Sequence, residues 1–414
     1  MRGTRAAAAA LAVVAFVGCD ASTDTSAQEP AAPPPERVEV DKQRPSRSAA
    51  VLPPLQRRVA ALSLRQLAHR LQVVTVAGTA PRTVTSSEAA ANRADFGVST
   101  PDAVARSFQP GGVVYFDANV ASVAQVRSLS RGLHRASRRG GWRTLLFTDQ
   151  EGGLVSRLPG RAAVEQPAAR SFANRPAVGS ESARRVGAAM AAMGLDVNFA
   201  PVADVDTVGG QGVIGDRAFG TGPDGVSRLV RAQSCGYHRG GVGITLKHWP
   251  GHGSTSVDSH RSMPTLRLSP SRWRQDHLPP FRAGIRGGAD LVMTGHLAYP
   301  RLDPSGQPAT LSQRLTTGWL RQRLGFEGVV VTDSLGMGAI VSRGTPGEIA
   351  VRALRAGADL LLMSPSPQGA TSGIVGAVRD GRLTRERLEE SALRVLRLAD
   401  TTGLAPGPRR LDRC

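Results

Sequence analysis

The sequence predicts an α/β protein built as a single (β/α)8 TIM-type barrel, preceded by a signal peptide and a disordered linker. Three observations predict the barrel. Eight short runs of β-branched or apolar residues lie between residues 73 and 363, helical stretches rich in Ala, Arg and Leu separate them, and an ionisable side chain follows six of the eight runs. Alternating strands and helices are typical of a parallel sheet, and eight such units favour a closed barrel.

The individual elements follow from this alternation. The eight predicted strands are 73–76, 112–116, 144–148, 197–202, 243–246, 291–294, 328–332 and 360–363. The clearest predicted helices are 120–139, 180–193, 224–239, 272–286 and 345–356. No Gly-rich phosphate-binding motif follows any of the strands, which argues against an open dinucleotide-binding sheet.

The first residues have the pattern of an export signal. Arg2 and Arg5 precede an apolar run over 6–17 that is too short to span a membrane. The run ends in Gly18-Cys19, which resembles a bacterial lipobox and implies cleavage before Cys19 and lipidation of its thiol. A plain secreted protein and an uncleaved anchor remain open. We expect a protein anchored by lipid to the cell membrane, on its extracytoplasmic side.

Composition divides the remaining chain. Residues 19–54 are rich in Pro, Ser and Thr and predict an extended tether without a core. The catalytic domain is predicted over 55–404, with a C-terminal tail over 405–414. We expect this domain to be a monomer.

The net charge of +19 does not by itself indicate a nucleic-acid partner. Among the 52 basic residues only Lys42 and Lys247 are lysines, and no basic run is interleaved with aromatic residues. A solvated basic surface explains the charge, and attraction to an anionic cell envelope is the alternative. We therefore predict no nucleic-acid binding.

The polar residues that follow the strands predict an active site. Barrel enzymes carry their chemistry at the C-terminal ends of the strands. The side chains at these ends include Asp149 and Glu151, Asp204 and Asp206, Lys247 and His248, His296, and Asp333. For Asp149 and Asp333 a structural role as a helix N-cap is the alternative to catalysis.

The segment 247–260 has the highest density of such residues, with three His and one Asp among several glycines. A metal site, a structural loop and an acid–base pair are three readings of it. Asp258 and His260 are two residues apart and can share one side of an extended loop, where the carboxylate would set the tautomer of the imidazole. We predict the acid–base pair, and neither a metal nor a cofactor.

An ordered series of motifs makes the interpretation specific. The segment 247–260 resembles the signature loop of β-N-acetylhexosaminidases in glycoside hydrolase family 3. The other matching segments lie at 111–119, 148–158, 198–206, 214–220, 293–296 and 331–337. The series covers roughly residues 60–400. Two positions depart from the common pattern, since the family often has Asp at Ser254 and Phe at Trp249.

The resemblance implies roles for individual residues. Asp333 matches the nucleophile, and His260 matches the acid/base, with Asp258 as its partner. The residues that match the holders of the N-acetylglucosamine hydroxyls are Asp149, Arg157, Arg217, Lys247 and His248.

The implied activity is that of a retaining exo-β-N-acetylglucosaminidase, without cofactor, acting on muropeptides. Two alternatives use the same site, a phosphorylase and a catalytically silent glycan-binding lipoprotein. A third is a metal-dependent hydrolase that uses His248, His252 and His260.

Overall fold

Eight parallel strands form a barrel in the computed structural model, which describes residues 53–139, 141–158 and 165–402. The strands are β1 (Gln72–Val74), β2 (Gly112–Tyr115), β3 (Leu145–Thr148), β4 (Val197–Asn198), β5 (Gly243–Trp249), β6 (Leu291–Thr294), β7 (Val329–Thr332) and β8 (Leu361–Leu362). The hydrogen-bonded order is β8-β1-β2-β3-β4-β5-β6-β7. A parallel bridge between Val331 and Leu360 joins the last strand to β7 and closes the barrel. The predicted (β/α)8 barrel is therefore confirmed.

Helices follow the strands and surround the barrel. Among the described residues, the α-helices of seven or more residues are α1 (Pro54–Ala60), α2 (Leu64–Arg70), α3 (Ser86–Phe96), α4 (Val123–Arg139), α5 (Pro176–Ala192), α6 (Pro223–Arg239), α7 (Pro270–Asp276), α8 (Leu278–Arg286), α9 (Pro346–Ala356), α10 (Pro367–Arg379) and α11 (Arg385–Thr401). Shorter helical turns are Pro101–Ala103, Asp117–Asn119, Ala169–Phe172, Gly215–Arg217, Ala309–Leu311 and Gly338–Val341. The segments Val104–Phe108 and Arg314–Arg323 are π-helical.

Several predictions concern residues outside this description. The predicted signal peptide, Cys19 and most of the predicted tether lie outside the described residues, as does the predicted tail. Helix α1 begins at Pro54, the last residue assigned to the tether. Within the part of the chain that the structure describes, no helix is both long enough and apolar enough to cross a membrane.

Two strands differ from their predicted lengths. Strand β4 ends at Asn198 rather than at residue 202, because Pro201 has no N–H to donate to a neighbouring strand. Strand β5 extends to Trp249 rather than stopping at Leu246. Lys247 and His248 therefore lie on the strand itself, and the glycine-rich loop begins after them.

Proline residues explain most differences in the helices. Helices α5, α6 and α7 each begin on a proline, between one and four residues before the predicted start. Proline suits the first helical position because the N–H that it lacks would have no partner there. The predicted helix 272–286 is interrupted at His277, where Pro279 and Pro280 start the second segment, α8.

The core lies inside the barrel and between its strands and helices. The barrel strands are buried along their lengths, which agrees with apolar runs in a parallel sheet. The rings of Phe147 and Phe199 stack at 5.0 Å between centroids. Trp249 packs edge-on against Trp273 and Phe281, which joins strand β5 to the helices outside it. This packing holds the end of β5, and with it Lys247 and His248, in a defined position.

Candidate active site

A cavity of about 1070 Å³ opens at the C-terminal ends of the barrel strands. Its lining includes all eight side chains predicted to act in catalysis or substrate binding, which are Asp149, Arg157, Arg217, Lys247, His248, Asp258, His260 and Asp333. Barrel closure brings these residues together although they span almost 200 positions of the chain. The structure thus places the predicted residues in one site, and their roles stay predictions.

Two cations and two carboxylates form a cluster in the wall of the cavity. Lys247 Nζ lies 2.5 Å from Asp149 Oδ1 and 2.6 Å from Glu151 Oε1. Arg217 donates two hydrogen bonds of 2.8 Å to the carboxylate of Glu151. The two hydrogen bonds match the planar guanidinium of Arg217 to the planar carboxylate of Glu151. The ammonium of Lys247 has no such planar arrangement and acts as a compact point charge.

The cluster remains ionised because its charges compensate each other. Burial favours the neutral form of Glu151, but Lys247 and Arg217 outweigh it and lower the pKa of the carboxyl group to about 2. Burial would lower the pKa of Lys247, which is only 2% exposed, but Asp149 and Glu151 raise it. Glu151 stands two residues after Asp149 in the same motif, but no pattern in the sequence indicated this role for it.

A hairpin after β3 carries Arg157 to the cavity. Its strands, Gln150–Gly152 and Val155–Ser156, are joined through Gly152 and Gly153, which both have positive φ. A side chain at Gly152 would place Cβ 2.5 Å from the carbonyl oxygen of Pro167. The side-chain oxygen Oε1 of Gln150 accepts a hydrogen bond of 2.9 Å from the backbone N–H of Arg157. This bond fixes the chain where it leaves the second strand of the hairpin. Glycine is required here for both conformation and space.

Arg157 is the most accessible of the cations in the site. Its guanidinium lies 5.9 Å from the centroid of the Phe116 ring and 3.5 Å from Asp117 Oδ2. The side chain is 30% exposed, so part of its guanidinium is accessible to a ligand, whereas Nε is buried.

Asp204 orients His248. His248 Nδ1 lies 2.7 Å from Asp204 Oδ2, and the backbone N–H of His252 donates to Asp204 Oδ1 at 2.7 Å. Burial would raise the pKa of Asp204, but His248 and the hydrogen bonds lower it. The ionised Asp204 thus accepts from Nδ1 of His248 and fixes the orientation of the imidazole ring. Asp204 was recognised in the sequence only as a charge at a strand end.

Asp333 directly follows β7, as predicted, and is half-buried in the cavity. Its backbone N–H donates to Thr294 O on the adjacent strand, and its Oδ1 accepts a hydrogen bond of 2.8 Å from Ser334 N. Burial would raise the pKa of the carboxyl group, but the nearby His248 and His296 and the N–H of Ser334 lower it. Asp333 is therefore a carboxylate at neutral pH, as a nucleophile must be.

His296 supports the turn that follows Asp333. Its Nε2 lies 2.8 Å from Ser334 O and its Nδ1 lies 2.8 Å from Thr310 Oγ1. Burial lowers the pKa of this fully buried imidazole, while Asp333 and the carbonyl of Ser334 oppose that effect. Because a carbonyl oxygen can only accept, Nε2 carries the proton of the hydrogen bond to Ser334 O. The sequence located His296 at a strand end but did not indicate this supporting role.

Asp258 and His260 form the predicted pair at the rim of the cavity. His260 Nδ1 lies 2.9 Å from Asp258 Oδ1, which also accepts the backbone N–H of His260 at 2.9 Å. The side chains are 43% and 71% exposed. The pair is formed by a turn, in which Arg261 N donates to Asp258 O, and not by the extended loop that the spacing predicted. The hydrogen bonds from His260 lower the pKa of Asp258.

The three histidines of the metal hypothesis each have a different partner. His248 pairs with Asp204, His252 Nε2 lies 3.0 Å from Ser259 Oγ, and His260 pairs with Asp258. Among the described residues no group of three or more His, Cys, Asp or Glu is arranged to hold a metal ion.

Buried histidines predict acid sensitivity of the fold. His277 is fully buried, with Nε2 2.7 Å from Ser254 Oγ, and burial lowers its pKa to about 4, as it does for His252. A histidine whose pKa is lower in the folded state stabilises the fold above pH 6.5 and loses this contribution as the pH falls towards 4. For His277 the loss between pH 7 and pH 4.5 is about 2 kcal/mol.

We therefore expect His277→Gln to have a flatter pH dependence of its free energy of unfolding than the wild type, when both are measured by urea unfolding between pH 7 and 4.5. Curves that stay parallel over this interval would contradict the assignment.

Comparison with known proteins agrees with this geometry. The model of the Glycosyl hydrolase family 3 N terminal domain matches residues 98–398. Beta-hexosaminidase A of Pseudoalteromonas piscicida is 33% identical over 321 residues, which cover 70% of this chain and 53% of that protein. The chain thus spans about half the length of that relative. The beta-hexosaminidase of Thioalkalivibrio sulfidiphilus is 38% identical over 268 residues, covering 63% of this chain and 75% of that protein.

Solved structures extend the agreement to the fold. The structure of a glycoside hydrolase family 3 beta-N-acetylglucosaminidase from Paenibacillus has a TM-score of 0.75 and 33% sequence identity. The match covers 85% of this chain and 68% of the Paenibacillus chain. The family match extends over most of the barrel and includes every residue predicted to act in catalysis or substrate binding. The chain therefore belongs to glycosyl hydrolase family 3 and is a glycoside hydrolase.

Proposed function

We propose that the protein is a retaining exo-β-N-acetylglucosaminidase that removes terminal β-linked N-acetylglucosamine from peptidoglycan fragments. One observation carries the proposal. A single cavity holds the ionised Asp333, the Asp258–His260 pair and the cluster around Lys247. Two relatives named as beta-hexosaminidases and a structure named as a beta-N-acetylglucosaminidase support this choice of sugar.

In the proposed first step the carboxylate of Asp333 attacks the anomeric carbon. His260 gives its proton to the glycosidic oxygen, the bond between this oxygen and the anomeric carbon breaks, and the aglycone leaves as an alcohol. In the second step neutral His260 takes a proton from water, whose oxygen attacks the anomeric carbon and releases Asp333. Two displacements at one carbon retain the β configuration.

Histidine suits the acid/base position at the rim. Most glycosidases use a second carboxyl group, which needs burial to keep its proton at neutral pH. A histidine acid/base does not depend on such burial, which fits the exposed position of His260 at the rim. The contact of Asp258 with Nδ1 supports a role for Nε2 as the atom that transfers the proton.

The cluster in the cavity wall would hold the sugar. Asp149, Lys247 and His248 present charged or polar atoms to the cavity, and sugar hydroxyl groups both donate and accept hydrogen bonds. Arg217 and Arg157 extend this surface on the side of the hairpin. Because each of these side chains already has an ion-pair partner in the protein, it is oriented before the substrate binds, which lowers the cost of binding.

The site of action follows from the substrate. Peptidoglycan lies outside the cytoplasmic membrane, and the export signal followed by Cys19 supports a lipid anchor on that side. We propose that the segment 19–54 connects this anchor to the barrel.

The test is to incubate the purified protein with an aryl β-N-acetylglucosaminide and with the corresponding β-glucoside. We expect release of N-acetylglucosamine from the first substrate alone, with the β anomer formed first when the reaction is followed by proton NMR. Initial formation of the α anomer would overturn the retaining mechanism.

Other outcomes would favour the alternatives. N-acetylglucosamine 1-phosphate formed only in phosphate buffer would indicate a phosphorylase. Saturable binding of muropeptides without release of sugar would indicate a glycan-binding protein.

A further inference from the structure

The turn that follows Asp333 holds the loop that carries His260. We call residues 250–263 the acid/base loop. Gly338 N donates a hydrogen bond of 2.9 Å to His260 O, and Ala339 N donates one of 3.3 Å to Ser259 O. The acid/base loop is therefore attached through its main chain, at the residue that carries the imidazole, to the first turn of the helix Gly338–Val341.

This attachment is rigidly connected to the barrel. Met337 N donates to Ser334 O at 3.1 Å, and Leu335 N donates to Leu362 O of β8 at 2.8 Å. The turn thus has a defined position relative to Asp333, only five residues before Gly338. The main chain at His260 consequently has a fixed position relative to the end of β7, which Asp333 follows.

The contact leaves no room for a side chain at position 338. A Cβ atom on Gly338 would lie 2.5 Å from Arg261 O and 2.8 Å from His260 O. Both are main-chain atoms, which cannot move away by a change of rotamer. Any larger residue at 338 must displace the acid/base loop or the turn itself. The other end of the loop is fastened independently by Ser254 Oγ, 2.7 Å from His277 Nε2.

We propose that Gly338 is a positioning residue for the acid/base. It sets the distance between His260 and Asp333 by allowing the main chain of the loop to lie directly on the turn after the nucleophile. The proposal rests on the proposed function, since it assigns His260 its role. In this proposal Gly338 contacts neither the substrate nor the reacting atoms and acts only through the position of His260.

The test compares Gly338→Ala with the wild type on two aryl β-N-acetylglucosaminides, one with a poor and one with an activated leaving group. A displaced His260 protonates the departing oxygen less well, and an activated leaving group needs little protonation. We expect kcat/KM to fall roughly 10- to 100-fold on the poor leaving group and less than about 3-fold on the activated one, because general acid catalysis contributes 10²–10⁴-fold when intact.

The matched control is Gly376→Ala in helix α10, where an added Cβ meets no atom within 4 Å. It should leave both kcat/KM values unchanged. A further measurement is turnover in the presence of azide, a nucleophile that attacks the glycosyl-enzyme without a general base. We expect azide to raise the turnover of Gly338→Ala on the activated substrate and not that of the control. Equal losses on both substrates, or no loss on either, would overturn the proposal.

Hydrogen exchange tests the contact if Gly338→Ala does not fold. The first N–H groups of a helix have no acceptor within the helix, so they exchange rapidly unless another segment covers them. In the wild type we expect slow exchange of the amides of Gly338 and Ala339, and rapid exchange of both would overturn the attachment. This measurement does not depend on activity. A wild type that releases no sugar but protects both amides would therefore contradict the proposed function and not the contact.

Discussion

Replacing Asp333 by alanine is expected to lower kcat by roughly 10⁴- to 10⁶-fold, the scale seen when a nucleophile is removed from an enzyme that forms a covalent intermediate. The reason is that the variant has no carboxylate to attack the anomeric carbon or to stabilise the positive charge that develops there. The fold should survive, because the half-buried carboxylate is replaced by a smaller apolar group. Steady-state kinetics on an aryl β-N-acetylglucosaminide measures the loss, and circular dichroism checks the fold. Wild-type turnover by Asp333→Ala would refute the assignment.

Trapping gives direct evidence for the nucleophile. In His260→Ala the second step lacks its base, so an activated substrate should leave the sugar attached to the enzyme. Mass spectrometry of the digested protein should locate the added glycosyl residue on the peptide that contains Asp333. The double variant Asp333→Ala/His260→Ala is the matched control and should carry no label. Label on another peptide would assign the nucleophile elsewhere.

Replacing His260 by alanine is expected to lower kcat/KM by about 10²- to 10⁴-fold on substrates with poor leaving groups, the usual contribution of general acid–base catalysis. The loss on activated aryl glycosides should be smaller, because their leaving groups depart without a proton. Since His260 is 71% exposed, its removal should scarcely change the free energy of unfolding. A series of aryl glycosides with leaving groups of different pKa measures the difference.

Asp258→Asn provides a graded comparison for this series. Asparagine keeps the shape of the side chain at the contact with His260 Nδ1 but replaces the carboxylate by a neutral amide. Its losses should lie between those of the wild type and His260→Ala, and should be larger for poor leaving groups. If His260→Ala lost the same factor on every substrate, His260 would have a role in binding and not in proton transfer.

The alternation of strands and helices was readable from the sequence because each element depends on nearby residues. A buried parallel strand such as β7 needs a short apolar run, and Val329–Thr332 supplies one. The Asp258–His260 pair was readable for the same reason, since its members are two residues apart. Element ends were less certain. The extension of β5 to Trp249 depends on packing against α7 and α8, which no local pattern shows.

The pairings within the site depend on barrel closure. Lys247 and Asp149 are 98 residues apart, and the sequence indicated only that each follows or ends a strand. Their ion pair, and the place of Glu151 between Lys247 and Arg217, follow from the neighbouring positions of β3, β4 and β5. The pairing of Asp204 with His248 has the same origin. Electrostatics then decides the ionisation of each group, because burial and partner charges oppose one another.

The sequence by itself determined the fold class, the positions of the polar residues at the strand ends, and the family. Local hydrophobic patterns and short motifs are sufficient for these because they involve residues close in the chain. Only the tertiary structure decided which charges compensate each other, that Asp333 remains ionised beside His248 and His296, and that the main chain at His260 lies against Gly338. These depend on distances of a few ångströms between segments far apart in sequence, which closure of the barrel alone establishes.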